Sequence, residues 1–118
     1  MEWQIARIER VSIEYEDHGF LTCWAFLDYG GSGQGFGGYA LGHRDNGLDE
    51  SDTSHLYRWI TEIMRVVGVE SWDKVAGHEV LVLADGSKVH GIRAMRANRE
   101  FFPQGKPADA PTTMAVGL

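Results

Sequence analysis

Apolar and polar residues alternate along the first fifteen positions of the chain, and this period of two predicts a β-strand. Trp3 and Ile5 follow the alternation, as do the apolar residues from Val11 to Tyr15, but Ile8 between them is out of phase. A phase slip inside a strand indicates an extra residue in one of the paired chains. The sequence therefore predicts a first strand over residues 3–15 that contains a β-bulge or a bend.

Two more strands are predicted to follow in an antiparallel meander. Residues 16–19, Glu-Asp-His-Gly, are typical of a turn, since Gly19 can adopt the left-handed conformation that hairpin loops require. The run Phe20–Leu27 is apolar at nearly every position, which is typical of a central strand covered on both faces. A glycine-rich loop, 30–38, then leads into a third strand predicted over about 36–41.

One amphipathic helix is the clearest element of the pattern. Five apolar residues recur at helical spacing and form one stripe: Leu56, Ile60, Ile63, Met64 and Val67. The preceding polar loop, 42–53, ends in three candidate N-cap residues, Ser51, Asp52 and Thr53. Gly68 is expected to end the helix. Tyr57 and Trp59 flank the stripe, so one of them is expected to be exposed.

A second hairpin is predicted after the helix, with strands over 78–83 and 88–95 joined at Asp85-Gly86. Beyond Arg96 the pattern dissolves, and all three prolines of the chain lie there. We therefore expect one domain over residues 1–96 and an irregular tail over 97–118, with the aromatic pair 101–102 packed on the domain. The element order β-β-β-α-β-β predicts an α+β fold in which one helix covers an antiparallel sheet.

Composition and charge exclude several classes of protein. The chain has 118 residues, of which 43% are hydrophobic, and its formal net charge is −6. This charge argues against binding to a phosphate backbone and is compatible with binding to a basic surface, including one that normally holds nucleic acid. The single cysteine leaves no disulfide framework. Without a signal-peptide pattern or an apolar run of about 20 residues, a cytoplasmic protein without a membrane anchor is expected.

The glycine-rich loop is the most distinctive stretch, with six glycines among the nine residues 30–38. Glycines are used where the backbone needs positive φ or where another group comes too close for a Cβ. The spacing Gly33-x-Gly35-x-x-Gly38 matches the dinucleotide-binding pattern, but a strand follows here instead of the helix that binds the pyrophosphate. Three uses stay open: close strand packing, contact with a protein, and a ligand cradle formed by Gly33, Gly35, Gly37 and Gly38.

Residues with catalytic or metal-binding potential are present without the spacing that such sites require. His43 and His55 flank an acidic loop, but neither a His-Glu-x-x-His motif nor a calcium-loop spacing occurs. Ser32 is not in a Gly-x-Ser-x-Gly elbow, and Cys23 is expected to be buried in a strand. We expect a protein that is not an enzyme and that holds no metal or cofactor. A weaker alternative is a metal-dependent hydrolase that uses the histidines and the acidic loop.

Contact with a partner is the function that the remaining features favour. Phe36 and Tyr39 are aromatic residues on or beside a glycine-rich loop, where they would be suited to anchoring a partner protein. The predicted partner-binding set consists of these two with Gln34 and an acidic flank, Asp45, Asp49, Glu50 and Asp52. A second copy of the chain could cover an exposed strand edge beside the loop, so a homodimer is a further expectation.

Two blocks of the sequence resemble a family of small proteins encoded by tailed bacteriophages and prophages, whose functions are largely undefined. The first runs from residues 19–22 through Gly-Gln-Gly-Phe-Gly-Gly-Tyr-Ala-Leu at 33–41, and the second is Val-Val-Gly-Val-Glu-Ser-Trp at 66–72. The resemblance covers about residues 7–95 and does not identify any catalytic residue in this chain.

This resemblance implies an accessory phage protein acting in the cytoplasm of the bacterial host. By analogy with anti-CRISPR proteins, it implies binding and inhibition of a host protein or ribonucleoprotein assembly concerned with antiviral defence. The alternative is a small-ligand or nucleotide-binding protein that uses the glycine-rich loop 30–38.

Overall fold

The computed structural model describes residues 1–111 and confirms the α+β fold: within them one α-helix packs on a six-stranded antiparallel sheet. The elements, in chain order, are β1 (Trp3–Tyr15), β2 (Phe20–Tyr29), β3 (Ser32–His43), α1 (Glu50–Val67), a short 3-10 helix (Trp72–Lys74), β4 (Glu79–Ala84), β5 (Val89–Arg93) and β6 (Glu100–Phe101). The strand order in the sheet is β3-β2-β1-β4-β5-β6.

The first strand, β1, lies at the centre of the sheet because its two halves pair with different neighbours. Its first half, from Trp3 to Arg7, pairs with β4, and the part from Arg7 to Tyr15 pairs with β2. The register with β2 shifts between Ile8 and Arg10. This shift confirms the bulge predicted from the phase slip, and it keeps Ile8 and the later apolar residues on the same face.

The hairpin between β2 and β3 turns through only two residues, Gly30 and Gly31, whose φ angles are 61° and 78°. Two positive φ angles in succession are those of a type I′ turn, which matches the right-handed twist of the flanking strands. The third strand therefore begins at Ser32, and the prediction that it begins at about Phe36 is wrong. The remaining glycines are not in a loop: Gly33, Gly35 and Gly37 pair with β2, and Gly38 lies at a register shift within the strand.

The glycines of β3 leave room for aromatic rings. A Cβ on Gly35 would lie 2.5 Å from Cζ3 of Trp24, and one on Gly38 would lie 2.4 Å from Cη2 of the same ring. Gly37 has a φ of 108°, and a Cβ there would lie 2.5 Å from the carbonyl oxygen of Cys23. The indole of Trp24 thus covers β3 on the face opposite the core, where side chains on the strand would displace it.

The sheet curls strongly, so that its two edge strands approach each other across the core. Phe36 on β3 and Phe101 on β6 are at opposite edges, yet their ring centroids are 6.1 Å apart. The ring of Trp59 on α1 lies 6.5 Å from Phe36. All three side chains are at most 2% exposed. The helix therefore packs on the concave side of the sheet, with Trp59 beside the contact between its edges.

Helix α1 begins earlier than its sequence pattern indicated. The N-cap is Asp49, whose side chain accepts the Asp52 N–H at 2.8 Å, while the Asp52 side chain accepts the Asp49 N–H at 3.1 Å. This reciprocal capping box replaces the predicted caps at 51–53. Gly68 ends the helix in the left-handed conformation, as predicted. The helix is not long and apolar enough to cross a membrane, and no other helix within residues 1–111 is.

The buried face of α1 is centred one position away from the predicted stripe. Its fully buried residues are Trp59, Ile63 and Val66, while four of the five stripe residues are only partly buried. Of the two flanking aromatics, Tyr57 is 71% exposed and Trp59 is buried. This confirms the expectation that one of the two would be exposed.

The domain extends beyond residue 96, so the predicted boundary there is wrong. Strand β6 lies in the segment predicted to be irregular, and Phe101 belongs to the core. The guanidinium of Arg93 is almost fully buried and lies 3.6 Å from the carboxylate of Glu100, which ties β6 to β5. Phe102 packs against Gly91 and Trp3, as expected for an aromatic pair packed on the domain. The last part of the predicted tail, 112–118, lies outside the described residues.

Replacing Gly37 by alanine is expected to destabilise the fold strongly. The new Cβ would collide with a backbone oxygen at a positive φ angle, so the free energy of unfolding should fall by at least about 2 kcal/mol. Gly33→Ala is the matched control, because the nearest atom to its Cβ lies at 3.6 Å. Its effect should stay within about 0.5 kcal/mol. Urea denaturation measures both, and equal values for the two variants would contradict the packing account of these glycines.

Removing the ring of Phe101 is expected to show that β6 is part of the cooperative domain. Phe101→Ala leaves a cavity beside Phe36 and should lower the free energy of unfolding by about 3–4 kcal/mol. Phe20→Ala removes the same ring from a side chain that is 42% exposed. That control should cost less than about 1 kcal/mol. If thermal denaturation of Phe101→Ala matched wild type, β6 would lie outside the cooperative unit.

Candidate functional site

The net charge of the protein is concentrated at one end of the sheet. Segments 14–20 and 43–52, which we call the acidic pole, contain seven carboxylates and one arginine, a formal charge of −6. This equals the net charge of the whole chain, so the positive and negative charges of the remaining residues cancel. The carboxylates are Glu14, Glu16, Asp17, Asp45, Asp49, Glu50 and Asp52.

Backbone pairing and His43 bring the two segments of the acidic pole together. His43 is opposite Phe20 in the register of β2 and β3. Its ring donates from Nε2 to the carbonyl of His18 at 2.9 Å and accepts the Asp45 N–H at Nδ1. The Arg44 N–H also donates to the carbonyl of Gly19 at 2.8 Å. His43 thus links the β1–β2 turn to the loop before α1, a role that the sequence pattern did not reveal.

The turn between β1 and β2 is ordered by Glu16. Its carboxylate accepts the Phe20 N–H at 3.1 Å, and its backbone N–H donates to the Phe20 carbonyl at 2.8 Å. The hydrogen bond from the Phe20 N–H is the main cause of a lowered pKa at Glu16, and His18 adds to it. Glu16 is therefore a structural carboxylate that also contributes negative charge to the acidic pole.

Four of the predicted partner-binding residues lie together in the acidic pole, but two of them have a structural role. Asp49 and Asp52 form the capping box of α1 and are held by its first turn. Asp45 and Glu50 are exposed, and Asp45 lies 3.8 Å from the guanidinium of Arg44. The exposed carboxylates Glu14 and Asp17 join them from the β1–β2 turn.

Two exposed aromatic side chains accompany the carboxylates. Tyr15 is 49% exposed and Phe20 is 42% exposed. The ring of Phe20 stands edge-on to His43, with centroids 5.1 Å apart. Neither residue was in the predicted set. The sequence feature that could have identified them as exposed is their position next to the polar turn 16–19, at strand ends where the core is thinnest.

The other three predicted partner-binding residues do not join the acidic pole. The expectation that Phe36 is an exposed anchor is wrong, since its ring is 1% exposed in the core. Tyr39 is half-buried with its ring against His55, and burial raises the pKa of its phenol. Gln34 lies near the opposite end of β3, where its side-chain oxygen accepts the hydroxyl of Tyr29.

The predicted glycine cradle is wrong at three of its four positions. The space above Gly35 and Gly38 is filled by Trp24, and Gly37 faces Cys23 and Trp59. Gly33 lies at the edge of a cleft of about 510 Å³. We call this the mouth cleft, and its polar lining side chains are Gln4, Tyr29, Ser32, Gln34 and Asp85.

The mouth cleft opens at the end of the curled sheet away from the acidic pole. Its lining comes from the β2–β3 turn region, the start of β1 and the β4–β5 turn. Asp85 is held in place there: Oδ1 accepts from the Ser87 N–H, the Ser87 hydroxyl and the Lys88 N–H, and Oδ2 binds His90 at 2.8 Å. These bonds, led by the one from the Ser87 hydroxyl, hold the pKa of Asp85 well below its usual range.

The remaining reactive side chains lie on different elements of the structure. Burial raises the pKa of the Cys23 thiol to about 11, so this thiol is un-ionised at neutral pH. His43 belongs to the acidic pole, whereas His55 packs on Tyr39. Within residues 1–111, no three His, Cys, Asp or Glu side chains are grouped so that they could hold a metal ion.

Comparison with known proteins gives no match: no protein-family model fits the chain, and no curated protein or solved structure is significantly similar to it.

The bonds of Asp85 predict how stability depends on pH. Because its folded-state pKa is lowered, Asp85 stabilises the fold above the ordinary carboxyl pKa of about 4, and this stabilisation is lost as the pH falls below that value. Asp85→Asn should therefore be less stable than wild type at pH 7 and should lose less stability on acidification. Ser87→Ala, which removes the hydroxyl donor and keeps the carboxylate, should fall between them. Urea denaturation from pH 7 to pH 2 tests this, and parallel pH curves would contradict it.

Proposed function

We propose that this protein is a phage accessory protein without catalytic activity that binds a host protein or ribonucleoprotein assembly and inhibits it, acting in the bacterial cytoplasm. The binding surface is the acidic pole, and its target is a basic surface of the kind that normally holds nucleic acid. The observation that carries the proposal is the placement of the whole net charge at one end of the molecule.

Electrostatics supports this use of the acidic pole. Seven carboxylates within two adjoining segments repel one another, which opposes folding. Asp49, Asp52 and Glu16 form cap and turn hydrogen bonds. Glu14 accepts the hydroxyl of Ser12, and Asp45 lies beside Arg44. The four exposed carboxylates add to the repulsion. Such a charged surface accelerates encounter with a basic partner and makes the association sensitive to salt.

The exposed aromatics give the acidic pole the means to hold a partner after encounter. Aromatic side chains contribute much of the binding energy at interfaces, whereas exposed charges mainly set the rate and the specificity of association. Tyr15 and Phe20 lie among the exposed carboxylates. We therefore expect both rings to contribute to the interface together with the carboxylates.

The choice of a host target rests on the resemblance of the blocks 33–41 and 66–72 to phage proteins. The structure gives these blocks a shared structural role: Gly37, in the first, faces Trp59, and Trp72, in the second, lies 5.6 Å from Trp59. The resemblance therefore concerns the scaffold that carries the acidic pole. By analogy with anti-CRISPR proteins, an acidic accessory protein of this kind would inhibit an antiviral defence assembly.

Neutralising the exposed carboxylates is expected to abolish partner capture without unfolding the protein. The test variant carries Glu14→Gln, Asp17→Asn, Asp45→Asn and Glu50→Gln. The tagged protein is used to capture its partner from host lysate, and native mass spectrometry measures the stoichiometry of the eluate. We expect the wild type to retain a host assembly and the variant to retain at least about tenfold less, since removing surface charges slows association. The melting temperature should stay equal or rise, because repulsion is relieved.

The matched control carries the same change of charge elsewhere: Glu2→Gln, Asp28→Asn, Glu70→Gln and Asp109→Asn, all at exposed positions. It should capture the assembly as the wild type does. A plaque assay of targeted phage on a host with an active defence system then tests inhibition with the same three proteins. Equal capture by wild type and the pole variant, or equal plaque counts, would refute the proposal.

A further inference from the structure

The mouth cleft is lined by polar residues at positions that face the core. Gln34 is opposite Leu27 in the register of β2 and β3, and Gln4 is opposite Val82 in the register of β1 and β4. Leu27 and Val82 are buried, and side chains of opposed residues share one face of a sheet. The two glutamines therefore extend the concave face beyond its apolar part, where polar side chains do not help to form the core.

The cleft is built from separate segments whose polar groups converge. The hydroxyl of Tyr29 donates to the side-chain oxygen of Gln34, which leaves the amide NH₂ of Gln34 as a donor. Ser32 and Gln4 each add a group that both donates and accepts. A cleft of about 510 Å³ at the end of a curled sheet has the size and the position typical of small-molecule sites.

The charged groups around the cleft restrict the kind of ligand that can bind there. Among the residues that the structure describes, its lining contains one ionisable carboxyl, Asp85, and no lysine or arginine. The neighbouring Lys88 directs its ammonium to Gln104, at 2.8 Å. A phosphate would therefore meet a carboxylate without a compensating cation. Because His90 is the one partner of Asp85 Oδ2 within residues 1–111, this oxygen keeps capacity to accept a hydrogen bond from an uncharged donor.

We propose that the mouth cleft binds vicinal hydroxyl groups of an uncharged sugar unit. Each hydroxyl both donates and accepts, so one can donate to Asp85 while its neighbour accepts from the amide of Gln4 or Gln34. The sugar is either a free oligosaccharide or the ribose of a nucleoside. This site lies away from the acidic pole and does not depend on the function proposed for that surface.

Titration of the ¹⁵N-labelled full chain with three probes tests the proposal. The probes are maltose, adenosine and 2′,3′-dideoxyadenosine, of which the last keeps the base and lacks the vicinal hydroxyls. We expect maltose, adenosine or both to shift the side-chain amide signals of Gln4 and Gln34, and dideoxyadenosine to leave them unchanged. A response to maltose alone assigns a free saccharide, a response to adenosine alone assigns ribose, and a response to both assigns the hydroxyl pair as such.

A pair of variants locates the binding. Gln4→Leu combined with Gln34→Leu keeps the size of the side chains and removes their hydrogen bonds, so the dissociation constant should rise at least about tenfold. Asn46→Leu, at an exposed amide outside the cleft, should leave it unchanged. The proposal is overturned if neither sugar probe shifts the cleft signals, if dideoxyadenosine shifts them equally, or if the double variant binds as wild type. The comparison of the three probes holds even if the double variant fails to fold.

Discussion

The ring of Phe36 touches Trp59 and Phe101, and the rest of the architecture depends on this contact. It joins strand β3, at one edge of the sheet, to β6 at the other edge and to the helix. An open sheet of six strands would leave both edges without such a contact. Because these rings keep the sheet curled, the molecule has two distinct ends. One end carries the acidic pole, and the other opens into the mouth cleft.

The glycines around Phe36 make this contact possible. Gly35 and Gly38 leave room for Trp24 on the convex face, and Gly37 lets β3 pass close to Cys23 and Trp59. The same stretch resembles a ligand-binding loop in its spacing, yet its glycines are used for packing. Glycine spacing alone does not distinguish a backbone that approaches a ligand from one that approaches an indole, since both need the absent Cβ.

Much of the fold could be predicted because local patterns and tertiary packing agree. The bulge in β1, the helix with its end at Gly68 and the hairpin turn at Asp85-Gly86 follow from periodicity and turn chemistry. The start of β3 and the strand β6 could not be predicted in this way, because their pairing depends on partners distant in sequence. Phe36 was expected at the surface for the same reason: its burial depends on Phe101, some sixty residues later.

The candidate site was predictable only in part. Asp45 and Glu50 were recognisable as an acidic flank, but the fold brings them beside Glu14, Asp17 and the exposed rings. That juxtaposition depends on the pairing of β2 with β3 and on His43, which local sequence does not encode.

We propose that the partner binds the acidic pole and not the glycine-rich stretch. Hydrogen–deuterium exchange of the protein, free and in complex with the captured host assembly, tests this most directly. We expect new protection in segments 14–20 and 43–52, with exchange in 30–38 unchanged. Protection confined to 30–38, with the acidic pole exchanging as in the free protein, would contradict it.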